Sequence, residues 1–420
     1  MSNIIKKWTG TSLVLRILVG LAIGTVLGLL LPGWKFIGLL GEVFVGALKA
    51  LAPVLVAFLI MSSIAKAGGG LGPRFRTVIV LYLTATFAAA AVAVAGSFLF
   101  PVTLNLQDAA EGSAPGGLTD VFKNLLTNMV TNPISSVATA NYIGILFWAV
   151  IFGLAFKAVG NQSLINVISA VSQGLTLAVQ WVIQLAPFGI LGLVFSAVSE
   201  SGLEIFTVYG KLVLLLVGCM LVSVLVCNPL ISFITMRRNP YPLLFTCLKE
   251  SGINAFFTRS SAANIPVNMA LCKKLGIEED FYSVSIPLGA TVNMNGAAVT
   301  ITVMSLAVAH TVGVDVSFAS ALFLSIIATL GACGASGVAG GSLLLIPMAC
   351  SFLGISNDIA MQAVAIGFII GVIQDSMETA LNSSGDVFFT ATAEYRSARL
   401  SKQSGSVEKA QGEGAHYEQG

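Results

Sequence analysis

Charged residues are scarce in this 420-residue sequence, since Asp, Glu, Lys and Arg together make up only 10% of it. Soluble proteins carry about 25% charged residues, and a soluble fold with this composition could not cover its surface. Each of five stretches has no charged residue over more than the ~20 positions that a spanning helix needs: Thr77–Gln107, Asn124–Phe156, Ala158–Ser199, Leu212–Met236 and Val316–Asn357. The composition therefore predicts an all-α polytopic membrane protein.

Four further absences argue against other classes of protein. The chain has only two histidines, which argues against a histidine-based metal site. Its six cysteines lack CxxC spacing and lie in or beside apolar segments, so we interpret them as lone thiols. A net charge of +2 gives no reason to expect a nucleic-acid partner. No clear small-residue cleavage site follows the first basic residues, so Leu13–Leu31 is interpreted as a retained first span.

The first two thirds of the chain predict six spans with a consistent orientation. With the N-terminus in the cytoplasm, these spans place most Lys and Arg residues inside and the acidic loop 102–124 outside. The predicted spans lie near 12–32, 36–65, 76–101, 135–157, 163–198 and 206–236.

The last third does not fit simple crossings. Segment 251–272 is polar in its middle and has basic residues on both sides, so it is expected to enter the membrane and turn back near Arg259–Ser261. Segment 281–314 can cross, but Gly and Asn residues at 289–298 interrupt it. Val316–Asn357 is too long for one span and glycine-rich at its centre, which favours a second re-entrant hairpin.

Two extra spans in place of the second hairpin are the alternative. The final span, 359–392, returns to the cytoplasm. A hairpin followed by an interrupted or polar helix thus occurs twice with opposite entry sides, which is typical of inverted repeats with a binding site at the bilayer midplane.

The final span carries an acidic stripe. Its polar residues are spaced so that all of them share one helix face: Asp375, Glu378, Thr379, Asn382 and Asp386. A charge at the centre of a spanning helix costs about 2.5–3.5 kcal/mol, so these acids need partners or a wet cavity. One hypothesis is that Arg259 pairs with Asp375 or Glu378.

Asp386 together with backbone carbonyls freed at the interrupted helix could hold a small hard cation such as sodium. Hairpin tips offer free N–H groups to a substrate carboxylate, and Asp375 could take its ammonium group. The pattern indicates a sodium-coupled amino-acid symporter.

Four motifs carry a family resemblance over essentially the whole chain: TRSSAANIPV (258–267), PLGATVNMNGAA (287–298), GASGVAGGS (334–342) and DSMETALNSSGD (375–386). They resemble the dicarboxylate/amino acid:cation symporter family, which has the glutamate transporter fold. The last helix is most similar to that of the bacterial sodium-coupled branch that carries serine and threonine.

The resemblance implies eight spans, two re-entrant hairpins, a homotrimer in the bilayer and an elevator motion. The implied domains are scaffold helices 1 and 2 at 1–74, transport-domain helix 3 at 75–101, an extracellular loop with scaffold helices 4 and 5 at 102–200, the transport domain at 201–396 with its inner hairpin at 243–275 and outer hairpin at 316–357, and a disordered cytoplasmic tail at 397–420.

The resemblance also implies two sets of site residues, with sodium as the coupling ion and no other cofactor. The implied substrate-binding residues are Arg259, Ser261, Val338, Gly340, Ser342, Asp375, Glu378, Thr379 and Asn382. The implied sodium ligands, mostly through backbone carbonyls, are Gly289, Thr291, Asn293, Met294, Ala332, Cys333, Ala335, Asn382 and Asp386.

Departures from the family pattern narrow the substrate. Glu378 stands where members with acidic substrates have an arginine, and Ala297 replaces a helping threonine. A glutamate repels a carboxylate but can accept a hydrogen bond from a hydroxyl, so serine and threonine are predicted substrates. Asn295 replaces an aspartate of a third sodium site, so fewer sodium ions are expected, and Tyr82 and Thr86 are then interpreted as packing residues.

The predicted function is therefore sodium symport of small hydroxyl or neutral amino acids across a bacterial inner membrane, with both termini cytoplasmic and no enzymatic activity. Other neutral or acidic amino acids are the alternative substrates. An ion channel is a remote alternative, and so is an intramembrane serine protease built on Ser336 and His310, whose order along the chain is opposite to that of such enzymes.

Overall fold

The computed structural model describes residues 11–66, 73–106, 126–127, 129–333 and 340–414, and the regular structure in these ranges is helical. The first seven helices are α1 Leu13–Leu30, α2 Leu39–Lys66, α3 Pro73–Leu99, α4 Pro133–Ala138, α5 Tyr142–Val159, α6 Gln162–Ile183 and α7 Ala186–Ser201. The next ten are α8 Ile205–Val222, α9 Asn228–Met236, α10 Tyr241–Cys247, α11 Ile253–Thr258, α12 Ser261–Lys274, α13 Glu279–Val292, α14 Asn295–Thr311, α15 Phe318–Ala332, α16 Ile346–Phe352 and α17 Asn357–Gly414.

The helices form two packed groups. Helices α1, α2 and α4 to α7 make up the N-terminal group, in which α2 contacts α5, α6 and α7 while α1 lies along α7 and the short α4 packs on α5. Helices α3 and α8 to α17 make up the C-terminal group, in which α14 and α17 contact each other and most of the remaining helices.

The contact between α1 and α7 depends on a row of glycines. Gly20, Gly24 and Gly28 recur every fourth residue and therefore share one face of α1. A Cβ atom on Gly24 would lie 2.5 Å from the carbonyl oxygen of Leu191 in α7. Small residues at this spacing let two membrane helices approach backbone to backbone.

Helix α14 lies at the centre of the C-terminal group. Every residue from Asn295 to Ala309 is buried, and 94% of the most apolar window of Glu279–Thr311 is buried, against 33% for Tyr142–Val159. The C-terminal group therefore has a true interior, and polar groups placed on α14 or on the facing side of α17 need partners there.

The interruption that the sequence predicts between 289 and 298 is confirmed. Helix α13 ends at Val292 and α14 begins at Asn295. Pro287 and Gly289 weaken the end of α13, because proline lacks an N–H and glycine has a high conformational entropy. The break leaves the peptide groups around Asn293 and Met294 outside both helices.

A second turn lies at Arg259–Ser260, where the sequence places the tip of the inner hairpin. Helix α10 continues through a π-helical stretch, Leu248–Gly252, into α11, which ends at Arg259 in the left-handed region with φ 52°. Helix α12 then starts at Ser261, and the Ser260 hydroxyl accepts a hydrogen bond from the Ala263 N–H at 3.2 Å.

In the region predicted as the outer hairpin, α15 is followed by residues 334–339, which lie outside the described part of the chain. A 3-10 turn at Ser342–Leu345 then leads into α16. Both described arms pack on α14, so this region covers the centre of the C-terminal group.

The structure differs from the sequence expectations in two places. The span predicted at 163–198 is two helices, α6 and α7, interrupted at Gln184 and Leu185, because Pro187 in the first turn of α7 cannot donate a helical hydrogen bond. The tail predicted to be disordered from 397 continues α17 as helix as far as Gly414. That stretch contains no proline to end the helix.

Seven helical segments in the described ranges are long and apolar enough to cross a membrane: Lys35–Lys66, Pro73–Leu99, Tyr142–Val159, Gln162–Ile183, Gly202–Met236, Glu279–Thr311 and Asn357–Ser401. They overlap the second to eighth predicted spans, and α1 is a shorter apolar helix. The chain has the build of a polytopic membrane protein.

Replacing Gly24 by alanine is expected to destabilise the protein. The added methyl group meets the Leu191 backbone, so α1 has to move away from α7 at an overpacking cost of about 1–3 kcal/mol. A thiol-reactive fluorophore in a thermal ramp measures this, because Cys247, Cys272 and two further cysteines are buried and are exposed to the reagent when the protein unfolds.

Gly174 in α6 is the matched control, because a Cβ there would have no neighbour within 4 Å. Gly174→Ala is expected to leave the midpoint unchanged or slightly raised. Equal midpoints for the two variants would contradict the close packing of α1 on α7.

Candidate substrate and cation site

Arg259 and Asp375 form a buried ion pair at the turn between α11 and α12. Arg259 Nε donates to Asp375 Oδ2 at 2.7 Å, and the two side chains are only 9% and 3% exposed. A buried charge with its partner removed is strongly destabilising, whereas a paired one is tolerated. Of the two acids that the sequence offers as partners for Arg259, the structure selects Asp375.

Asp375 also contacts the other hairpin region. Its Oδ1 accepts a hydrogen bond from the Gly340 N–H at 3.2 Å. One carboxylate on α17 thus holds the turn at Arg259 through one oxygen and the segment before the 3-10 turn through the other. Asp375 is therefore a residue of α17 that contacts both hairpin regions.

Glu378, one helical turn further along α17, is surrounded by uncharged donors. Its Oε2 accepts from Thr300 Oγ1 at 2.7 Å, from Ser342 Oγ at 2.8 Å and from Gln374 Nε2 at 2.6 Å. The residue is buried. Three neutral donors stabilise the carboxylate. None of the described residues that donate to Glu378 is positively charged.

The other predicted substrate residues lie on the same elements. Asn382 Oδ1 accepts from the Gly296 N–H at 2.8 Å, which links α17 to the first turn of α14. Thr379 Oγ1 donates to the Asp375 carbonyl at 2.8 Å. Ser261 is buried as the first residue of α12. Val338 lies outside the described residues.

Asp386 on α17 and Asn293 at the break between α13 and α14 are in contact, and each has one buried oxygen without a hydrogen-bond partner among the described residues. Asn293 Nδ2 donates to Asp386 Oδ1 at 3.0 Å and to the Asn382 carbonyl at 2.9 Å. Asp386 Oδ2 and Asn293 Oδ1 have no partner among the described residues. Unpaired buried oxygens are costly, and carboxylate, amide and carbonyl oxygens are the ligands that hard cations prefer.

Gly289 makes room for this oxygen cluster. A Cβ atom on Gly289 would lie 2.7 Å from Asp386 Oδ1 and 2.9 Å from the Tyr82 hydroxyl. Tyr82 Oη lies 3.2 Å from both the Ser285 carbonyl and the Asp386 carbonyl, so its one O–H is within donating distance of each. Tyr82 therefore does more than the packing expected of it, because it fixes the backbone that carries Asp386.

The second predicted sodium set is brought together in part. Cys333 Sγ donates to the Val292 carbonyl at 3.5 Å, so the end of α15 lies against the end of α13. Thr291 directly precedes Val292 in the chain and Met294 follows it by two residues, and Ala332 is buried at the end of α15. Ala335, the fifth member of the set, lies outside the described residues.

Both polar atoms of the Asn295 side chain make hydrogen bonds to uncharged partners. Its Oδ1 accepts from Thr86 Oγ1 at 2.9 Å, and its Nδ2 donates to Asn228 Oδ1 at 3.3 Å. Thr86, like Tyr82, is therefore part of a polar contact rather than a packing residue only. The side-chain oxygen of Asn295 is occupied in an amide cluster between α3, α9 and α14.

The sequence reasoning missed a polar network under the first hairpin region. Asn264 Nδ2 and Asn268 Nδ2 both donate to Ser383 Oγ, at 2.8 and 3.0 Å, and Asn264 Nδ2 also donates to Ser251 Oγ at 3.0 Å. Two asparagines four residues apart on one face of α12 are the signal that could have revealed it. The network fastens α12 to α17.

Comparison with known proteins shows the family of the chain. The model of the sodium:dicarboxylate symporter family matches residues 13–395, which is nearly the whole chain. The chain belongs to this family. The match confirms the family resemblance carried by the four motifs.

This symporter is similar to three relatives named serine/threonine transporter SstT. The Bifidobacterium adolescentis protein is 61% identical over 393 residues, covering 92% of this chain and 90% of the relative. The Streptococcus thermophilus protein is 54% identical over 398 residues (94% and 98%), and the Streptococcus agalactiae protein is 55% identical over 396 residues (94% and 98%). The relatives are transporters, in agreement with the prediction of a non-enzymatic protein, and Ser336 of the protease alternative lies outside the described residues.

The ion pair between Arg259 and Asp375 is expected to show energetic coupling without any substrate. Arg259→Met and Asp375→Asn each leave a buried group unpaired, at about 3–5 kcal/mol for a broken buried pair. The double variant removes both charges, so its loss of thermal midpoint is expected to be smaller than the sum of the single losses.

The exposed pair Lys274–Glu250 provides the matched control cycle, with Lys274→Met and Glu250→Gln. Exposed pairs contribute about 0–1 kcal/mol, so this cycle is expected to be additive. Additive losses at Arg259 and Asp375 as well would contradict a coupled buried pair.

Proposed function

We propose that this chain is a sodium-coupled symporter that carries serine and threonine into the cell. Its membership of the sodium:dicarboxylate symporter family and its 54–61% identity to relatives named serine/threonine transporters support this function. The observation that carries the substrate choice is Glu378, a buried acid held by three uncharged donors.

The substrate's amino-acid core would be held by its two charges. Asp375 is the acceptor for the ammonium group, in place of or beside the Arg259 guanidinium that now neutralises it. Ser261 and Asn382 serve the carboxylate, and the hydroxyl of Thr379 and the backbone of Arg259, Val338, Gly340 and Ser342 complete the pocket. A zwitterion then adds no net charge to a site that is already balanced at Asp375.

Glu378 would select the side chain of the substrate. An acidic substrate would place a second carboxylate beside Glu378 in a buried site, where like charges repel strongly. A hydroxyl substrate instead donates to the carboxylate, and charge-assisted hydrogen bonds of this kind are stronger than neutral ones. Serine and threonine fit this acceptor, and aspartate and glutamate do not.

Sodium would bind where the buried oxygens of Asp386 and Asn293 are left unpaired, with carbonyls of Gly289 and Asn382. A second sodium ion would be held by carbonyls of Thr291, Met294, Ala332, Cys333 and Ala335. The amide cluster of Asn295 supports a smaller number of ions than members with an aspartate there, because its oxygen is already satisfied and uncharged.

The two helix groups fit the parts of an elevator. The ion pairs of Arg74, Arg259 and Lys274 lie within the C-terminal group, whereas the contact between the groups includes the edge-to-face pair Phe44–Phe368. The part of the contact that this pair forms is apolar, so sliding there breaks no charged bond. The C-terminal group would move as the transport domain against the N-terminal group, which serves as the scaffold of a homotrimer.

The topology proposed for this function has eight spans and two re-entrant hairpins in the bacterial inner membrane, with both termini cytoplasmic. Helix α1 is the first span, and α6 and α7 together make the fifth. The proposed inner and outer hairpins are the segments 243–275 and 316–357. The Lys and Arg distribution along the chain supports this orientation.

The driving force is sufficient for uptake. Entry of one net positive charge with a zwitterion gains about 2.3 kcal/mol per 100 mV of membrane potential. That energy alone supports accumulation of about fifty-fold, since each 1.36 kcal/mol is a factor of ten. A sodium concentration gradient adds to it.

Purified protein in liposomes is expected to take up labelled serine only when sodium is present outside and to saturate at ordinary transporter rates. Unlabelled threonine is expected to compete strongly and aspartate weakly, because Glu378 repels a side-chain carboxylate. Strong competition by aspartate would overturn the role of Glu378, and sodium-independent uptake would overturn the coupling.

Asp386→Asn is expected to raise the sodium concentration for half-maximal serine uptake by about ten-fold or more, since cation affinity depends on the charge of the ligands. Asp358→Asn is the control, because Asp358 is an exposed acid near the outer end of the same helix. An equal effect of both changes, or no effect of Asp386→Asn, would refute the proposed cation site.

A further inference from the structure

Thr300 and Gln374 belong to neither of the two predicted residue sets, yet both touch Glu378. Thr300 lies on α14 and Gln374 on α17, one turn before Glu378, and both are buried. Gln374 Nε2 donates to Thr300 Oγ1 at 2.7 Å as well as to Glu378 Oε2 at 2.6 Å. The three side chains form a closed hydrogen-bonded triangle, because Thr300 Oγ1 also reaches Glu378 Oε2.

The triangle fixes which oxygen of Glu378 is available. Among the described residues, the hydrogen bonds to the Glu378 carboxylate all end on Oε2. Oε1 is the oxygen left to accept from a bound molecule. Oε2 is held by Thr300 from α14 and by Gln374 from α17. The carboxylate therefore cannot rotate to exchange Oε1 and Oε2 without losing these hydrogen bonds.

The triangle also contains no charged partner. A lysine or arginine beside Glu378 would satisfy the carboxylate by itself and would remove its need for a further donor. With neutral donors only, the carboxylate can still accept a further hydrogen bond, and a substrate hydroxyl can donate it. An alanine substrate fills the same space without a donor and leaves a buried acceptor unpaired.

We propose that Thr300 and Gln374 are positioning residues that hold Glu378 Oε2 so that Oε1 discriminates hydroxyl-bearing amino acids from alanine. This inference rests on the proposed function, because it deepens the role of Glu378 in that site. A site built to hydrogen-bond a substrate group rejects the analogue that lacks it far more strongly than an apolar pocket rejects a missing methylene group.

The test compares serine and alanine in the same variants. Thr300→Val keeps the shape of the side chain and removes the hydroxyl, and Gln374→Leu removes the amide. Thr300→Ser keeps the hydroxyl and is the rescue variant. Thr302→Val is the matched control, because Thr302 lies two residues further along α14, is equally buried, and has a hydroxyl without a hydrogen-bond partner among the described residues.

Each variant in liposomes is assayed for kcat/KM with labelled serine and with labelled alanine, and for the sodium concentration at half-maximal uptake. In the unaltered protein serine is expected to exceed alanine by about ten-fold or more. Thr300→Val and Gln374→Leu are expected to reduce that ratio by about ten-fold, mainly through serine, with little change in the sodium requirement. Thr300→Ser and Thr302→Val are expected to keep the ratio.

Equal losses for serine and alanine would overturn the inference, because a merely structural role lowers both. So would the same ratio in Thr300→Val as in Thr302→Val, or no preference for serine in the unaltered protein. Alanine uptake reports in every variant that the protein is folded. Lack of sodium-dependent serine uptake by the unaltered protein would refute the proposed function itself. Normal uptake by the unaltered protein, with an unchanged serine-to-alanine ratio in Thr300→Val and Gln374→Leu, would refute only this inference.

Discussion

Buried carboxylates inside a membrane protein need partners, and this requirement organises the centre of the molecule. Helix α17 carries three of them, and each is satisfied in a different way. Asp375 has a guanidinium, Glu378 has three neutral donors, and Asp386 has one amide and one open oxygen. An isolated charge would be too costly in such surroundings, so the turn at Arg259 and the break between α13 and α14 are brought to the same helix.

The different partners of the three carboxylates suit them to different binding roles along α17. In the proposed function, the ion pair at Asp375 would be exchanged for a substrate ammonium group with little change in local charge. The open oxygen of Asp386 would bind the cation, and the neutral donors on one oxygen of Glu378 would leave the other oxygen to accept from a hydroxyl. Substrate and sodium would then bind within three helical turns of each other, which is a physical basis for carrying them together.

Much of this centre could be predicted from the sequence, because polar residues inside an apolar chain are conspicuous. The stripe on α17, the break before Asn295 and the turn at Arg259 all follow from that contrast. Thr300 and Gln374 could not be found in the same way, since single uncharged residues in a helix have many ordinary explanations. Their role depends on which helices touch, and the break between α6 and α7 likewise appears only once the backbone is seen, although Pro187 marks it.

The left-handed backbone at Arg259 has a consequence for what else that position can hold. Asparagine and glycine are the residues that adopt such a φ angle most readily, but neither carries a positive charge. Lysine brings the charge as a single ammonium point rather than a planar fork. The backbone conformation thus favours asparagine or glycine at this position, whereas Asp375 requires a positive charge. With arginine the strained left-handed conformation is stabilised by the ion pair that the side chain makes with Asp375.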